Sequence, residues 1–121
     1  MATSTQKRTL SQPERDALRK AGEWGLLRSL AGRKVCLTGR MSMERTSLAA
    51  LVEAAGGVFT NVMGAGVQLL VIADDSTWSN KIQAAEDAGT RCLRESEFAA
   101  ELLPTPEELL SGRPAEFGAP R

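Results

Sequence analysis

Residues 35–40, Val-Cys-Leu-Thr-Gly-Arg, form the stretch that decides the fold. An apolar, partly β-branched run ends abruptly at Thr38 and Gly39, and a pattern with helical spacing begins near Arg45. This order is typical of a buried parallel strand that delivers a hydroxyl and a backbone N–H to the carboxyl edge of a sheet, just before a helix. The position suits an anion, because glycine permits close backbone approach and a helix N-terminus offers unpaired N–H donors. An ordinary strand-to-helix turn is the alternative that this hexapeptide leaves open.

Length and charge indicate one domain with an uneven charge distribution. A chain of 121 residues is typical of a single domain of about 100 residues plus tails. The net charge is zero, but eight basic and three acidic residues precede Val35, so the first part carries +5 and the remainder −5. This indicates an N-terminal arm that could meet a polyanion, or else a solvated helix face.

The composition also sets expectations for compartment and cofactors. The sequence has no apolar run near the roughly 20 residues needed to span a bilayer, and no signal-peptide pattern. Two isolated cysteines without any histidine cannot form a closed zinc site in one chain. We therefore expect a protein without membrane, metal or cofactor, either cytoplasmic and associated with a bacterial nucleoid or nuclear in a eukaryote.

The N-terminal part predicts a helix. Residues 1–10 are polar and read as a disordered tail, and residues 11–30 as an amphipathic basic helix that begins with the capping-box spacing of Ser11 and Glu14. One apolar stripe recurs at helical spacing, with Trp24 expected as its anchor on the body of the domain. The stripe consists of Leu18, Ala21, Trp24 and Leu27.

Residues 31–103 predict an α/β core, followed by a tail over 104–121. The order of elements is strand, helix, strand, strand, helix, strand, helix, with the continuous apolar run 68–72 as a central strand. This order predicts a four-stranded parallel sheet flanked by three helices, with the N-terminal helix in addition. A flavodoxin-like or nucleotide-binding α/β fold shares the strand pattern, but it needs more strands and a glycine fingerprint.

Several short motifs in this order resemble a BRCT domain. They are Leu-Thr-Gly at 37–39, Gly-Gly at 56–57, Leu-Leu-Val-Ile at 69–72, Ser-Asn-Lys at 79–81, Ala85, Gly89, and Glu-Phe at 97–98. The resemblance covers about residues 31–103 and is to the single type found in bacterial NAD-dependent DNA ligases, polymerase-associated exonucleases and the replication factor C large subunit. Phe98 stands where many members carry tryptophan. The chain has one such repeat, so the groove between paired repeats that reads residues beyond a phosphoserine is absent.

The resemblance implies a phosphate-binding site. In such domains the residue ending the first strand, the following glycine and a lysine opening the second helix bind a phosphate, and here these positions are Thr38, Gly39 and Lys81. The replication factor C domain binds a recessed 5′ phosphate of duplex DNA and adds an arginine that Arg45 matches, allowing a loop one residue shorter. It also needs a helix before its core, and residues 11–29 provide one. The expected contacts with the DNA backbone are made by Arg15, Arg19, Lys20 and Arg40.

Each of these residues also has a structural interpretation. Lys81 could be a solvent-exposed lysine near a helix start, although a cation there opposes the helix dipole. Arg45 could form a surface salt bridge with Glu44 or Glu53, and such pairs contribute only about 0–1 kcal/mol. Thr38 could be a buried hydroxyl bonded within its own turn.

The sequence is compatible with two classes of binding function and argues against catalysis. The first is a non-catalytic binding module of DNA replication or repair that recognises a 5′-phosphorylated duplex end. The second is a protein-interaction module, a monomer or weak homodimer that docks a replication or repair protein; apolar loop residues Met41, Met43, Met63 and Trp78 are compatible with it. Catalysis is not expected, because histidine, a Walker loop and paired carboxylates at catalytic spacing are all missing from the sequence.

Overall fold

A parallel sheet of four strands forms the centre of the molecule. The computed structural model describes residues 10–74, 76, 79–112 and 115–118. The strands are β1 (Lys34–Thr38), β2 (Val58–Thr60), β3 (Val67–Ile72) and β4 (Arg91–Arg94), in the spatial order β2-β1-β3-β4. The helices are α1 (Gln12–Glu23), α2 (Arg45–Ala54), α3 (Asn80–Ala88), α4 (Glu95–Leu102) and α5 (Pro106–Ser111). The predicted α/β class, strand order along the chain and additional N-terminal helix are confirmed.

The sheet is buried on both faces, which explains its continuous apolar strands. Side chains alternate along a strand, so Val35 and Leu37 of β1 join a large cluster with α1, α2 and α4, while Cys36 faces the other way. The second cluster is smaller and lies under α3, which packs there through Ile82 and Ala85. Two helical layers thus enclose the sheet and leave its carboxyl edge for loops and helix starts.

Helix α1 begins where the sequence predicts it but does not pack through its tryptophan. Ser11 and Glu14 form the predicted capping box, with Ser11 N–H donating to the Glu14 carboxylate at 2.8 Å. Trp24, expected as the anchor, is 70% exposed, and that expectation is wrong. The helix ends at Glu23, and Gly25 at φ +69° then reverses the chain. This turn carries Leu27, rather than Trp24, into the core.

The segment expected as a C-terminal tail packs against the domain. After helix α5, Phe117 is 2% exposed and its ring centroid lies 5.6 Å from that of Phe98. The backbone N–H of Phe117 donates to the carbonyl of Ser29 at 2.7 Å. Phe117 and Ser29 therefore hold the segment beside the amino ends of the strands, at the opposite end of the sheet from Thr38. Residues 1–9, 113–114 and 119–121 of the expected tails lie outside the described residues.

An ion pair between a buried arginine and a partly exposed glutamate anchors this C-terminal segment. Arg28 is 1% exposed, and its Nη2 donates to Oε1 of Glu108 at 2.5 Å. The backbone N–H groups of Thr105 and Ala115 also donate to the Glu108 carboxylate. The hydrogen bond from Arg28, followed by that from Ala115, lowers the pKa of Glu108 from 4.5 to about 2. The segment is thus fixed by a carboxylate that favours its charged form.

The low pKa of Glu108 predicts an acid-sensitive contribution to stability. Because the folded pKa lies below the unfolded value, this contribution is present in full above about pH 4.5 and is lost as the pH falls towards about 2. Glu108→Gln should therefore lower the urea midpoint at neutral pH and flatten the fall in stability across that window. Urea titrations followed by circular dichroism measure this. Glu107→Gln removes an exposed carboxylate from the same helix and controls for charge; identical pH profiles for wild type and Glu108→Gln would contradict the prediction.

Candidate functional site

The end of β1 meets the start of α3 at the carboxyl edge of the sheet. Thr38 is 5% exposed, and its Oγ1 lies 3.1 Å from Oγ of Ser79. Ser79 is the N-cap of α3 and accepts a hydrogen bond from the backbone N–H of Ile82 at 3.3 Å. Thr38 is therefore bonded across to another element and not within its own turn. The sequence analysis named Ser79 as part of a motif but did not predict that it caps α3 or that it contacts Thr38, although an N-cap serine before a helix is a recognisable signal.

Gly39 occupies a position that no other residue fits without strain. Its φ is +92°, and a Cβ atom added there would lie 2.7 Å from Cβ of Ala73 and 3.2 Å from Cβ of Ser76. Ala73 and Ser76 therefore lie directly against the Gly39 backbone. Among the described residues, none accepts a hydrogen bond from the Gly39 N–H. This N–H remains available at the edge of the sheet.

Lys81 binds backbone carbonyls where the hydrogen bonding between β1 and β2 stops. The last paired residues of these strands are Cys36 and Thr60. Beyond them, Nζ of Lys81 donates to the carbonyl of Leu37 at 2.9 Å and to the carbonyl of Asn61 at 2.7 Å. An ammonium group has three protons, so one remains after these two bonds. Lys81 is thus a half-buried, bonded cation at the end of β1, and its carbonyl contacts supply the reason for a cation near a helix start.

Arg45 reaches the same edge from the start of α2. Its Nη2 donates to the carbonyl of Gly39 at 2.9 Å, and the described residues show no salt bridge between Arg45 and Glu44 or Glu53. Arg40 is exposed immediately after Gly39. The structure therefore places Arg45 and Arg40 next to Gly39, and Lys81 next to the peptide that precedes Thr38.

A buried carboxylate that the sequence analysis missed holds the loop between β1 and α2. Glu95 is 1% exposed at the start of α4. Its carboxylate accepts from the N–H of Ser42 at 2.9 Å and 3.1 Å, and from the N–H of Met43 at 3.1 Å. Charged acceptors make strong hydrogen bonds with backbone N–H groups, so Glu95 fixes the loop that leads from Gly39 to Arg45. Nothing local in the sequence links position 95 to positions 42 and 43.

A second pair of side chains, Arg94 and Asp74, holds Ala73 and Ser76 beside Gly39. Nη1 of Arg94 donates to the carbonyls of Ala73 at 3.0 Å and Ser76 at 2.6 Å. Oδ1 of Asp74 accepts from Ser96 in the first turn of α4, from its N–H at 3.2 Å and its hydroxyl at 3.0 Å. Both connections run to the β4–α4 junction, which therefore supports both loops at the edge. Trp78, named above among the apolar loop residues, lies outside the described residues.

Among the α1 residues predicted to contact the DNA backbone, Arg15 is connected to the carboxyl edge of the sheet through Leu10. Arg15 donates to the carbonyl of Leu10 at 2.7 Å, and the N–H of Leu10 donates to Oγ of Ser42 at 3.3 Å. Arg19 is partly exposed, and its guanidinium group lies 3.7 Å from the carboxylate of Asp16, whereas Lys20 is exposed. Helix α1 carries three basic and three acidic residues, so it is neutral and the +5 excess lies outside it. Two of the cations outside α1, Arg28 and Arg33, pair with glutamates of the C-terminal segment.

The edge as a whole carries groups whose chemistry suits an oxyanion. It combines a hydroxyl, a backbone N–H and cations that hydrogen bonds hold in position. Within the part of the chain that the structure describes, no group of three or more side chains could hold a metal ion, and no helix is long and apolar enough to cross a membrane.

Comparisons with known proteins match this chain to a family and to a solved structure of the same fold. The protein-family model described as BRCA1 C Terminus (BRCT) domain matches residues 28–101, which is more than half of the chain. The structure of the C-terminal BRCT domain of human XRCC1 superposes with a TM-score of 0.51 at 18% sequence identity. The aligned region covers 76% of this chain and 90% of that chain, and at this identity it shows the fold alone. A comparison with curated protein sequences finds no significant match.

The contacts of Gly39 predict a steric penalty for any side chain there. In Gly39→Ala, the new Cβ would stand far inside contact distance of Ala73, and the backbone would have to hold φ +92°. We expect a loss of about 1–3 kcal/mol in the free energy of unfolding, measured by urea denaturation. Gly64→Ala, at a loop glycine with open space around it, is the control. Equal stability of Gly39→Ala and wild type would contradict the close approach of Ala73 and Ser76 to Gly39.

Proposed function

The chain belongs to the BRCT family, and on this premise we propose that it is a non-catalytic binding module of DNA replication or repair that recognises the phosphate of a 5′-phosphorylated duplex end. The site is the carboxyl end of β1. The observation that carries the proposal is the cluster of donors around Thr38 and Gly39, with Lys81 tethered beside them. Such a module acts wherever the cell keeps its DNA, in a nucleoid or a nucleus.

The donors match the demands of a phosphate monoester. Its terminal oxygens accept hydrogen bonds from the Gly39 N–H, the Thr38 hydroxyl and the remaining proton of Lys81. The carbonyls of Leu37 and Asn61 already hold the Lys81 ammonium group in place. The Lys81 side chain therefore loses little further conformational entropy when a phosphate binds. Arg45 is anchored in the same way at the Gly39 carbonyl and keeps further N–H donors for the anion.

The DNA backbone next to the bound 5′ phosphate would then contact a few separate cations. Arg40 is exposed beside Gly39, and Arg15 lies at the end of α1 that contacts the loop after β1. Arg19 and Lys20 extend this line along α1. Since α1 is neutral, we expect these residues to position the duplex and to add less affinity than the phosphate site.

Removal of the 5′ phosphate and of Lys81 tests the proposal directly. Wild-type protein should bind a 5′-phosphorylated duplex more tightly than the same duplex with a 5′ hydroxyl, measured by fluorescence anisotropy. Lys81→Ala should weaken binding of the phosphorylated duplex about 10- to 100-fold, since a hydrogen bond to a charged group contributes about 1.5–3 kcal/mol. Binding should fall with salt by a slope of about −0.9 per phosphate neutralised. Lys34→Ala, at the other end of β1, is the matched control; equal affinity for both duplexes would reject a phosphate-specific site.

A protein-interaction module is the second candidate, and exposed apolar side chains favour it. Trp24 is 70% exposed and Leu110 is 89% exposed, and both lie outside the candidate phosphate site. Exposed apolar surface is a mark of protein interfaces. If this function holds through self-association, the mass measured by light scattering should rise with concentration, and Lys81→Ala should leave that rise unchanged. A concentration-independent monomer mass would reject self-association.

A further inference from the structure

An uncharged loop stands directly beside the candidate phosphate site. Residues 61–66, Asn-Val-Met-Gly-Ala-Gly, connect β2 to β3 and contain no charged side chain. The Lys81 ammonium group binds the carbonyl of Asn61 and that of Leu37, which belongs to the peptide preceding Thr38. One cation therefore joins this loop to the edge where the phosphate would bind. On the other side of the site, Arg40 of the loop after β1 and Arg45 at the start of α2 are exposed.

The loop presents one apolar side chain to solvent on a braced backbone. Val62 is 69% exposed. Its N–H donates to Oγ1 of Thr60 at 3.3 Å, and the same hydroxyl donates to the carbonyl of Val62 at 3.4 Å. Met63, the next residue, is partly buried against the cluster under α3. Thr60 and Met63 thus hold the turn on either side of Val62. Binding through the Val62 side chain therefore does not require the loss of conformational entropy that ordering a mobile loop would cost.

Duplex DNA offers few surfaces that an apolar side chain can cover. Its backbone is charged, and its grooves present mainly hydrogen-bond donors and acceptors. The largest apolar surface is the face of a base pair, which is exposed at a duplex end and covered everywhere else by its neighbours. Apolar side chains such as Leu, Ile and Met contact base faces in this way when proteins unstack DNA.

We propose that Val62 covers the exposed face of the terminal base pair next to the bound 5′ phosphate. The proposal rests on the proposed function and adds the feature that the site reads: a duplex end, distinguished from a nick by its uncovered base pair. Thr38, Gly39 and Lys81 recognise the phosphate, and Val62 recognises the end. Val62 is therefore a specificity-determining residue that makes no contact with the phosphate.

The two ligands to compare carry the same 5′-phosphate monoester. One is a labelled DNA hairpin with a single blunt, 5′-phosphorylated end. The other is a duplex that has no free end, because a loop closes each of its ends, and that carries one nick with a 5′ phosphate. In the nick, the adjacent base pair covers the face that Val62 would contact. Wild-type protein should bind the blunt end about fivefold more tightly than the nick, as expected for burying part of a valine side chain.

Substitution of Val62 should remove this preference and leave phosphate recognition intact. Val62→Ser should bind the blunt end about fivefold more weakly, with affinity for the nick unchanged, whereas Val62→Ile should keep the preference. Leu110→Ser removes an exposed apolar side chain on α5 and controls for loss of apolar surface. Circular dichroism checks that the exposed substitutions preserve the fold.

The outcomes separate the two proposals. If wild-type protein binds blunt hairpins with and without the 5′ phosphate equally, the phosphate site itself is refuted. If phosphate dependence holds but the nick binds as tightly as the blunt end, or Val62→Ser keeps the preference, only the role of Val62 is refuted.

Discussion

The ammonium group of Lys81 joins the three elements on which the candidate site depends. Strand β2 is only three residues long, so the pairing of β1 with β2 ends at Thr60 and leaves carbonyls beyond it. Lys81 enters from α3 and binds the carbonyls of Leu37 and Asn61. A cation near a helix N-terminus is otherwise unfavourable. The hydrogen bonds to the two carbonyls offset this cost, and the result is a fixed cation at the edge of the sheet.

The two ends of the sheet use charge in different ways. At the carboxyl end, arginine and lysine side chains bond to carbonyl oxygens and keep donors to spare. At the amino end, Arg28 and Arg33 pair with Glu108 and Glu116 of the C-terminal segment. The charge excess counted along the sequence therefore does not describe the surface. Cations that are near one another in the chain are neutralised by residues about 80 positions away.

The parts that could be predicted are those whose physical cause is local. Alternation and continuous apolar runs show which segments are strands, and Gly56 and Gly89 end helices because they adopt positive φ. The Ser11 cap follows from spacing alone. The exposure of Trp24 could not be predicted from periodicity. Trp24 follows the last residue of α1, so its direction depends on where the helix ends. Glu95 was missed because its partners are brought to it only by the fold.

The sequence by itself determined the class of fold, the order of its elements and the identity of the residues at the end of β1, because hydrophobic periodicity and glycine geometry act over a few residues. The tertiary structure decided what those residues bond to. It set Lys81 on two carbonyls, seated Arg28 beside Glu108, and packed Phe117 on the core. These contacts join residues far apart in the chain. Only the assembled sheet with its helices in place brings such groups within hydrogen-bonding or packing distance.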